Sequence, residues 1–403
     1  MAVRRRAWQT SDGETKEAWV AEYTDTAGRR RIKTFARKKE ADAFLAQAKV
    51  EVREGVHTAD AATITITKAG VQWLSSCEQR GLERTTIDSY RQALNYHINP
   101  HLGRLKLSQL SAPLVRQFED DLRAGNPAPG ETEGKCRSAA MVRKVRSALS
   151  ILMGDAMERG LVNRNVAREL RARRKAGSER KAERRQKGKL KAGVDIPLAV
   201  EIRAIIQALE NMPGRHRAVI VTAIFTGLRS SELRGLRWSD IDFSKNEIRV
   251  HQRADRYKVI GKPKSESGER TIPAPPMALN VLRQWKLFCP QSELDLAFPT
   301  KTGSIVQHTD IVNRGLIPAQ IRASVVTTEG KAKYTGLHSL RHFYASWCIN
   351  RKVDGGLGLP AKVVQERLGH SSIMMTMDVY GHLFPRGDDQ KELAEAEARL
   401  WLA

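Results

Sequence analysis

The side chains best suited to handling an anion and moving protons lie in the C-terminal half of the chain: Arg229, Lys264, His338, Arg341, His370 and Tyr380. Arg229 follows Gly227-Leu228 and precedes Ser230-Ser231-Glu232 in an otherwise apolar stretch, where a guanidinium needs an anion or a carboxylate. Glu232, three residues on, could itself be that carboxylate. His338 and Arg341 are three apart and so share one helical face, while Phe343, Ala345 and Trp347 pack the other sides. A core histidine beside a solvated arginine would give the same pattern. His338 and His342 have the i, i+4 spacing of zinc hydrolases, but Ser339 stands where those enzymes carry glutamate, so no metal is expected. His370 follows Leu368-Gly369, and Tyr380 comes ten residues later in a segment that alone suggests a half-buried aromatic. Lys264, taken singly, is a surface hairpin lysine.

The elements that must position these residues form several units. Residues 1–60 read as three short strands, 3–9, 17–23 and 29–35, followed by a helix over 38–54 whose apolar face is Ala41, Phe44, Leu45, Ala48 and Val52. Residues 65–170 read as helical, with helices over 68–80, 85–98, 112–124 and 138–159. Thr85 and Asp88 resemble a helix start, and Asn99-Pro100 a stop. Residues 171–193 form a linker rich in arginine and lysine, Arg173, Arg174 and Lys175 among them. Residues 194–390 are mostly helical, with strands over 247–252 and 269–273 flanking the turn that carries Lys264. The tail 391–403 is a short helix with an apolar stripe of Leu393, Ala396, Leu400 and Trp401.

Composition narrows the function. The 403 residues carry a formal net charge of +24, and 41% are apolar. Buried cores are therefore feasible and a polyanionic partner is indicated. No stretch approaches the roughly 18 apolar residues of a membrane span, and Met1-Ala-Val-Arg-Arg-Arg lacks the apolar segment of a secretion signal. A soluble protein of the cytoplasm is the expectation. Cys77, Cys136, Cys289 and Cys348 are too dispersed for a zinc cluster or a disulfide framework.

The order and intervals of Arg229, Lys264, His338-x-x-Arg341, His370 and Tyr380 resemble the tyrosine recombinase (phage integrase) family. So do the local motifs T-G-L-R-S-S-E-L, H-S-L-R-H, L-G-H-S-S and Y-G-H-L, and a lysine ahead of an S-x-x-R-x-I-P strand. The pattern T-I-x-x-Y-x-x-x-L-x-x-H-I-x-P-x-L-G from Thr86 to Gly103 is similar to the start of the family's core-binding domain. The first unit resembles the arm-binding domain of longer phage-type integrases. The implied fold is multidomain α+β: a small sheet-plus-helix arm domain, an all-α SAM-like core-binding domain, and a mainly α catalytic domain with a small antiparallel sheet.

The resemblance implies DNA cleavage and rejoining through a 3′-phosphotyrosine. Tyr380 would be the nucleophile, Arg229 and Arg341 would hold the phosphorane oxygens, and Lys264 would protonate the leaving 5′-oxygen. His338 would assist proton transfer or contact the phosphate, His370 would donate a hydrogen bond to the phosphate, and Glu232 would orient Arg229 or His338. No cofactor or metal is implied, since the ester energy is retained in the phosphotyrosine and Arg and Lys supply the cations. The implied partners are double-stranded attachment sites, three further copies in a tetramer, and two kinds of accessory protein, a directionality factor and a DNA-bending protein. Arg29, Arg30, Arg31 and Lys33 would contact an arm-type site, and the basic linker would follow the backbone. A recombinase that resolves chromosome or plasmid dimers, and a DNA-binding regulator without catalysis, are the alternatives; the arm-like unit argues against the former. Whether Tyr380 acts in cis or in trans, and where the C-terminal helix docks, stay open.

Overall fold

The structure, a computed structural model, describes residues 2–9, 15–55, 57–59, 63–170, 190–384 and 389–402. Backbone contacts divide the chain into two compact units, Met1–Arg174 and Lys175–Ala403.

In the first unit, β1 (Ala2–Gln9), β2 (Thr15–Thr24) and β3 (Arg30–Phe35) pair antiparallel in that order. Strand alternation sends Trp19, Ala21 and Tyr23 to one face. Helix α1 (Lys38–Arg53) covers that face with Ala41, Phe44, Leu45, Ala48 and Val52, the stripe that the spacing indicates.

A helical bundle follows, with α2 (Ile66–Gln79), α3 (Arg84–Ala93), α4 (Ala112–Ala124) and α5 (Ala139–Glu158). Thr65, Ser111 and Ser138 cap three of these helices, their hydroxyls accepting from the N–H groups of Lys68, Leu114 and Met141. Trp73, Leu94, Phe118, Leu149 and Leu152 fill the core. Two expectations change here. The helix does not stop at Asn99-Pro100 but continues as Asn99–Leu102, after a π turn over Leu94–Ile98. The wider turn passes the chain around a proline that has no N–H to give. Nor does Thr85 with Asp88 cap α3: the helix begins at Arg84 without a side-chain cap, the N–H groups of Thr86 and Ile87 donate to Glu83 O, and Asp88 instead pairs with Arg91 at 3.0 Å.

The second unit is built around α6 (Ala199–Leu209) and α7 (Gly214–Thr226), the latter buried on nearly every side. Residues Ser230–Gly235 form α8. Strands β4 (Ile241–Asp242), β5 (Glu247–Val250) and β8 (Arg270–Pro273) make an antiparallel sheet. Between β5 and β8 lies a hairpin that the sequence pattern did not indicate, β6 (Arg253–Ala254) with β7 (Ile260–Gly261). Its two-residue strands are too short to show alternation.

Helices α9 (Pro276–Lys286) and α10 (His308–Ile311) follow. A second π turn, Val312–Leu316, carries the chain past Pro318 into Ile317–Arg322. Then come α11 (His338–Ile349), α12 (Ala361–Leu368) and α13 (Ile373–Tyr380). Helix α14 (Asp389–Leu402) ends the chain, with Leu393, Leu400 and Trp401 exposed. The fold is multidomain α+β, with the three-stranded sheet and helix ahead of a helical region and a mainly helical unit with small antiparallel sheets.

Candidate active site

Two helix ends in the second unit shape the site. Helix α7 is followed by Gly227 at φ +60°, and α12 by Gly369 at φ +63°, both left-handed. A Cβ on Gly227 would stand 2.4 Å from the Tyr344 ring, and one on Gly369 2.8 Å from an Arg270 nitrogen. Only glycine meets both demands. The two turns present Arg229 and His370 to the same place, and they aim carbonyls at guanidiniums. Arg341 donates from Nη1 to Gly227 O at 2.7 Å and from Nη2 to Leu368 O, and Arg229 donates from Nη2 to Gly369 O at 3.0 Å.

Glu232 anchors the positive charges. It is 3% exposed, and its carboxylate accepts from Arg229 Nη1 at 2.8 Å and from the Arg229 backbone N–H at 2.8 Å. It also accepts from Arg270 at 2.8 and 3.2 Å, a bidentate pair. Burial pushes its pKa up, but Arg270 and Arg229 outweigh burial and hold the carboxyl below its ordinary range. Arg270 further donates from Nε to Arg367 O at 2.9 Å, which ties β8 to α12. Arg341 is 2% exposed and, among the described residues, faces no carboxylate at pairing distance. Burial first, and then repulsion by Arg229, push its pKa down to about 9, so it remains charged at neutral pH.

Tyr380 ends α13 with its ring 2% exposed. Burial raises its pKa to about 12 against the lowering pull of Arg341 and Arg229. Its hydroxyl lies 2.8 Å from His342 Nδ1. The His370 ring is nearly parallel to the tyrosine at 6.4 Å between centroids, and His370 Nδ1 lies 2.9 Å from Thr376 Oγ1. The His338 ring meets His342 edge-on at 4.5 Å. Burial and the neighbouring cations depress all three histidines, His342 and His370 to about 4, so they are neutral imidazoles at neutral pH.

Arg229, Glu232, His338, Arg341, His370 and Tyr380 are thus brought together from three helices and two turns. Glu232 pairs with Arg229 rather than with His338, and its second partner, Arg270, carries no signal in the sequence beyond its place in the R-x-I-P strand. In the sequence His342 shows only as half of a histidine pair, although its i+4 spacing from His338 places it on the same face. Lys264 is exposed, in the loop between β7 and β8. It precedes by four residues Gly268, whose carbonyl Arg270 holds at 2.9 Å, so the base of its loop is fixed to the cluster.

The cations of the first unit are divided by strand alternation. Arg30 lies on the face away from α1, in register through β2 with the Arg4 side of β1, and both pair with Glu22. Arg6 shares that face. Arg31 turns to the other face and pairs with Asp25 at 2.8 Å, and Lys33 lies over the Phe44 ring at 4.5 Å. Arg29 precedes β3 and is exposed. Arg173, Arg174 and Lys175 lie outside the described residues.

Residues 198–386 match the Phage integrase family, and residues 71–122 match the N-terminal SAM-like domain of phage integrases. The chain is 24% identical over 381 residues to a tyrosine recombinase XerC-like protein of Caldanaerobacter subterraneus, with 87% of each covered. It is 32% identical to the ICEBs1 integrase of Bacillus subtilis over 43% of this chain and 46% of that one. Among solved structures, the Tn1549 transposon integrase bound to transposon right end DNA superposes with a TM-score of 0.62 at 16% identity, covering 83% of this chain and 99% of that one. A lambda integrase tetramer bound to a Holliday junction superposes with a TM-score of 0.54 at 17% identity, covering 91% and 95%. A SAM-like region followed by the integrase region is thus matched along the chain, and the chain belongs to the phage integrase family, the tyrosine-type site-specific recombinases.

Proposed function

We propose that this chain is the integrase of a phage or other mobile element, which inserts and excises that element by cleaving and rejoining duplex DNA at attachment sites. The observation that carries the reading is a charge imbalance. Arg229, Arg270 and Arg341 converge beside one carboxylate, Glu232, and a buried tyrosine hydroxyl. A buried guanidinium held only by carbonyls calls for an anion, and a phosphodiester fits.

In this reading Arg229 and Arg341 grip the non-bridging oxygens and gain strength as the five-coordinate phosphorane accumulates charge. Tyr380 attacks phosphorus, and His370 and His338 donate hydrogen bonds to the phosphate. Lys264, on its exposed loop, protonates the departing 5′-oxygen. The phosphotyrosine keeps the energy of the broken ester, so a new 5′-hydroxyl reverses the step without nucleotide or metal. Arg4, Arg6 and Arg30, on the open face of the N-terminal sheet, contact a separate DNA segment. Four copies act on two sites, and the exposed Leu393, Leu400 and Trp401 of α14 dock on a neighbouring copy.

The test is adduct trapping in EDTA. Protein is incubated with fragmented genomic DNA and denatured, and protein-linked fragments are sequenced, with Tyr380→Phe in parallel. Fragments recovered from the wild type alone support the reading and reveal a target site. DNA binding without any adduct overturns it.

A further inference from the structure

The geometry points to His342 as the residue that takes the proton from Tyr380 when the tyrosine attacks. This assignment rests on the tyrosine chemistry proposed above and adds a group that the six-residue constellation does not include.

The hydroxyl of Tyr380 is buried, and a buried O–H needs an acceptor. Arginines cannot accept, and His342 Nδ1, at 2.8 Å, is the acceptor present among the described residues. The tautomer is thereby set: the hydroxyl donates, Nδ1 accepts, and the ring hydrogen sits on Nε2. Position on α11 makes this specific. His342 is one residue after Arg341 and four after His338, so a single turn of helix carries a phosphate ligand, a neighbouring imidazole and the contact to the nucleophile.

Burial and the surrounding cations keep His342 unprotonated in the free protein, which preserves Nδ1 as an acceptor. A bound phosphodiester brings the negative charge that Arg341 lacks, and the developing phosphorane adds more. The imidazolium that forms beside it is then stabilised. In the step, the Tyr380 O–H proton moves to His342 Nδ1 while the oxygen's electron pair forms the new O–P bond. The P–O5′ bond breaks with its pair on oxygen, and that oxygen takes a proton from Lys264. The products are a 3′-phosphotyrosine, a free 5′-hydroxyl, an imidazolium and a neutral lysine. Rejoining runs the same transfers backwards.

The experiment measures single-turnover adduct formation on a nicked duplex built from the recovered site. General-base loss typically costs about 10²–10⁴ in rate, so His342→Ala and His342→Gln should both fall by at least about 100-fold while non-covalent binding of the duplex holds. Glutamine can accept the hydrogen bond but cannot keep the proton. A His342→Gln rate within about threefold of wild type therefore overturns the assignment in favour of simple positioning. Added imidazole should restore part of the His342→Ala rate. Placing sulfur at the 5′-bridging position, which removes the need for an acid on the leaving group, should rescue Lys264→Ala and leave His342→Ala slow. Rescue of both would also overturn the assignment. Melting temperatures near wild type keep misfolding from mimicking the expected loss. If the wild type itself forms no adduct, the tyrosine reading falls and takes this role with it, a result distinct from slow variants beside an active parent.

Discussion

Glu232→Gln isolates what the shared carboxylate contributes. The substitution keeps shape and an acceptor oxygen but removes the charge that Arg229 and Arg270 share. Arg229 can turn toward water, since its side chain is 35% exposed. Arg270, with 6% of its side chain exposed, cannot, and it is left as a buried guanidinium facing an amide. Breaking a buried pair from one side costs about 3–5 kcal/mol. In a unit of some 200 residues each kcal/mol moves the midpoint by roughly 2–4 °C, so Tm should fall by about 6–20 °C. Scanning calorimetry of the full chain reads this in the transition that covalent or ligand changes at the site perturb, because two compact units need not melt as one. The companion Glu232→Gln with Arg270→Met removes the stranded charge and should recover much of the loss. Acid gives a second check. Glu232 is held below its ordinary 4.5, so the stability from pairing is fully present above that pH and is lost as pH falls through the folded value. The gap between wild type and variant must therefore narrow in acid, where the native carboxyl also becomes neutral. A Tm within about 2 °C of wild type near neutral pH, or a gap that widens in acid, refutes the reasoning.

Two further substitutions probe charge and backbone. Arg229→Ala should leave the fold intact, because Glu232 keeps Arg270, yet slow adduct formation by about 10²–10³ as a transition-state donor is lost; a near-normal rate in quenched-flow assays would remove Arg229 from the chemistry. Gly227→Ala should lower stability by roughly 2–4 kcal/mol, combining the left-handed penalty with a clash against Tyr344, and denaturant unfolding that shows no change would contradict the close packing there.

Much of this site was legible because its demands are local. T-G-L-R and L-G-H each contain a glycine at a left-handed helix end, and a motif of that kind shows in a linear string. The helical stripe of α1 follows from spacing alone. The π turns before Pro100 and Pro318 were not legible, because a proline announces a missing N–H without saying whether the helix stops or widens around it. The β6–β7 hairpin escaped because two residues carry no period.

By itself, then, the sequence determined the chemical types, their order and the helices that carry them, along with a net charge that demands a polyanion. Tertiary structure alone decided who faces whom. That Glu232 is shared with Arg270, 38 residues away, and that Tyr380 rests on His342 rather than on His338 or His370, depends on how α8, β8, α11 and α13 pack. Strand alternation likewise split Arg30 from Arg31 and Lys33, though the three looked like one patch. Local preferences set each element, but hydrogen bonds act over about 3 Å, and distances on that scale between remote residues are fixed only when the core closes.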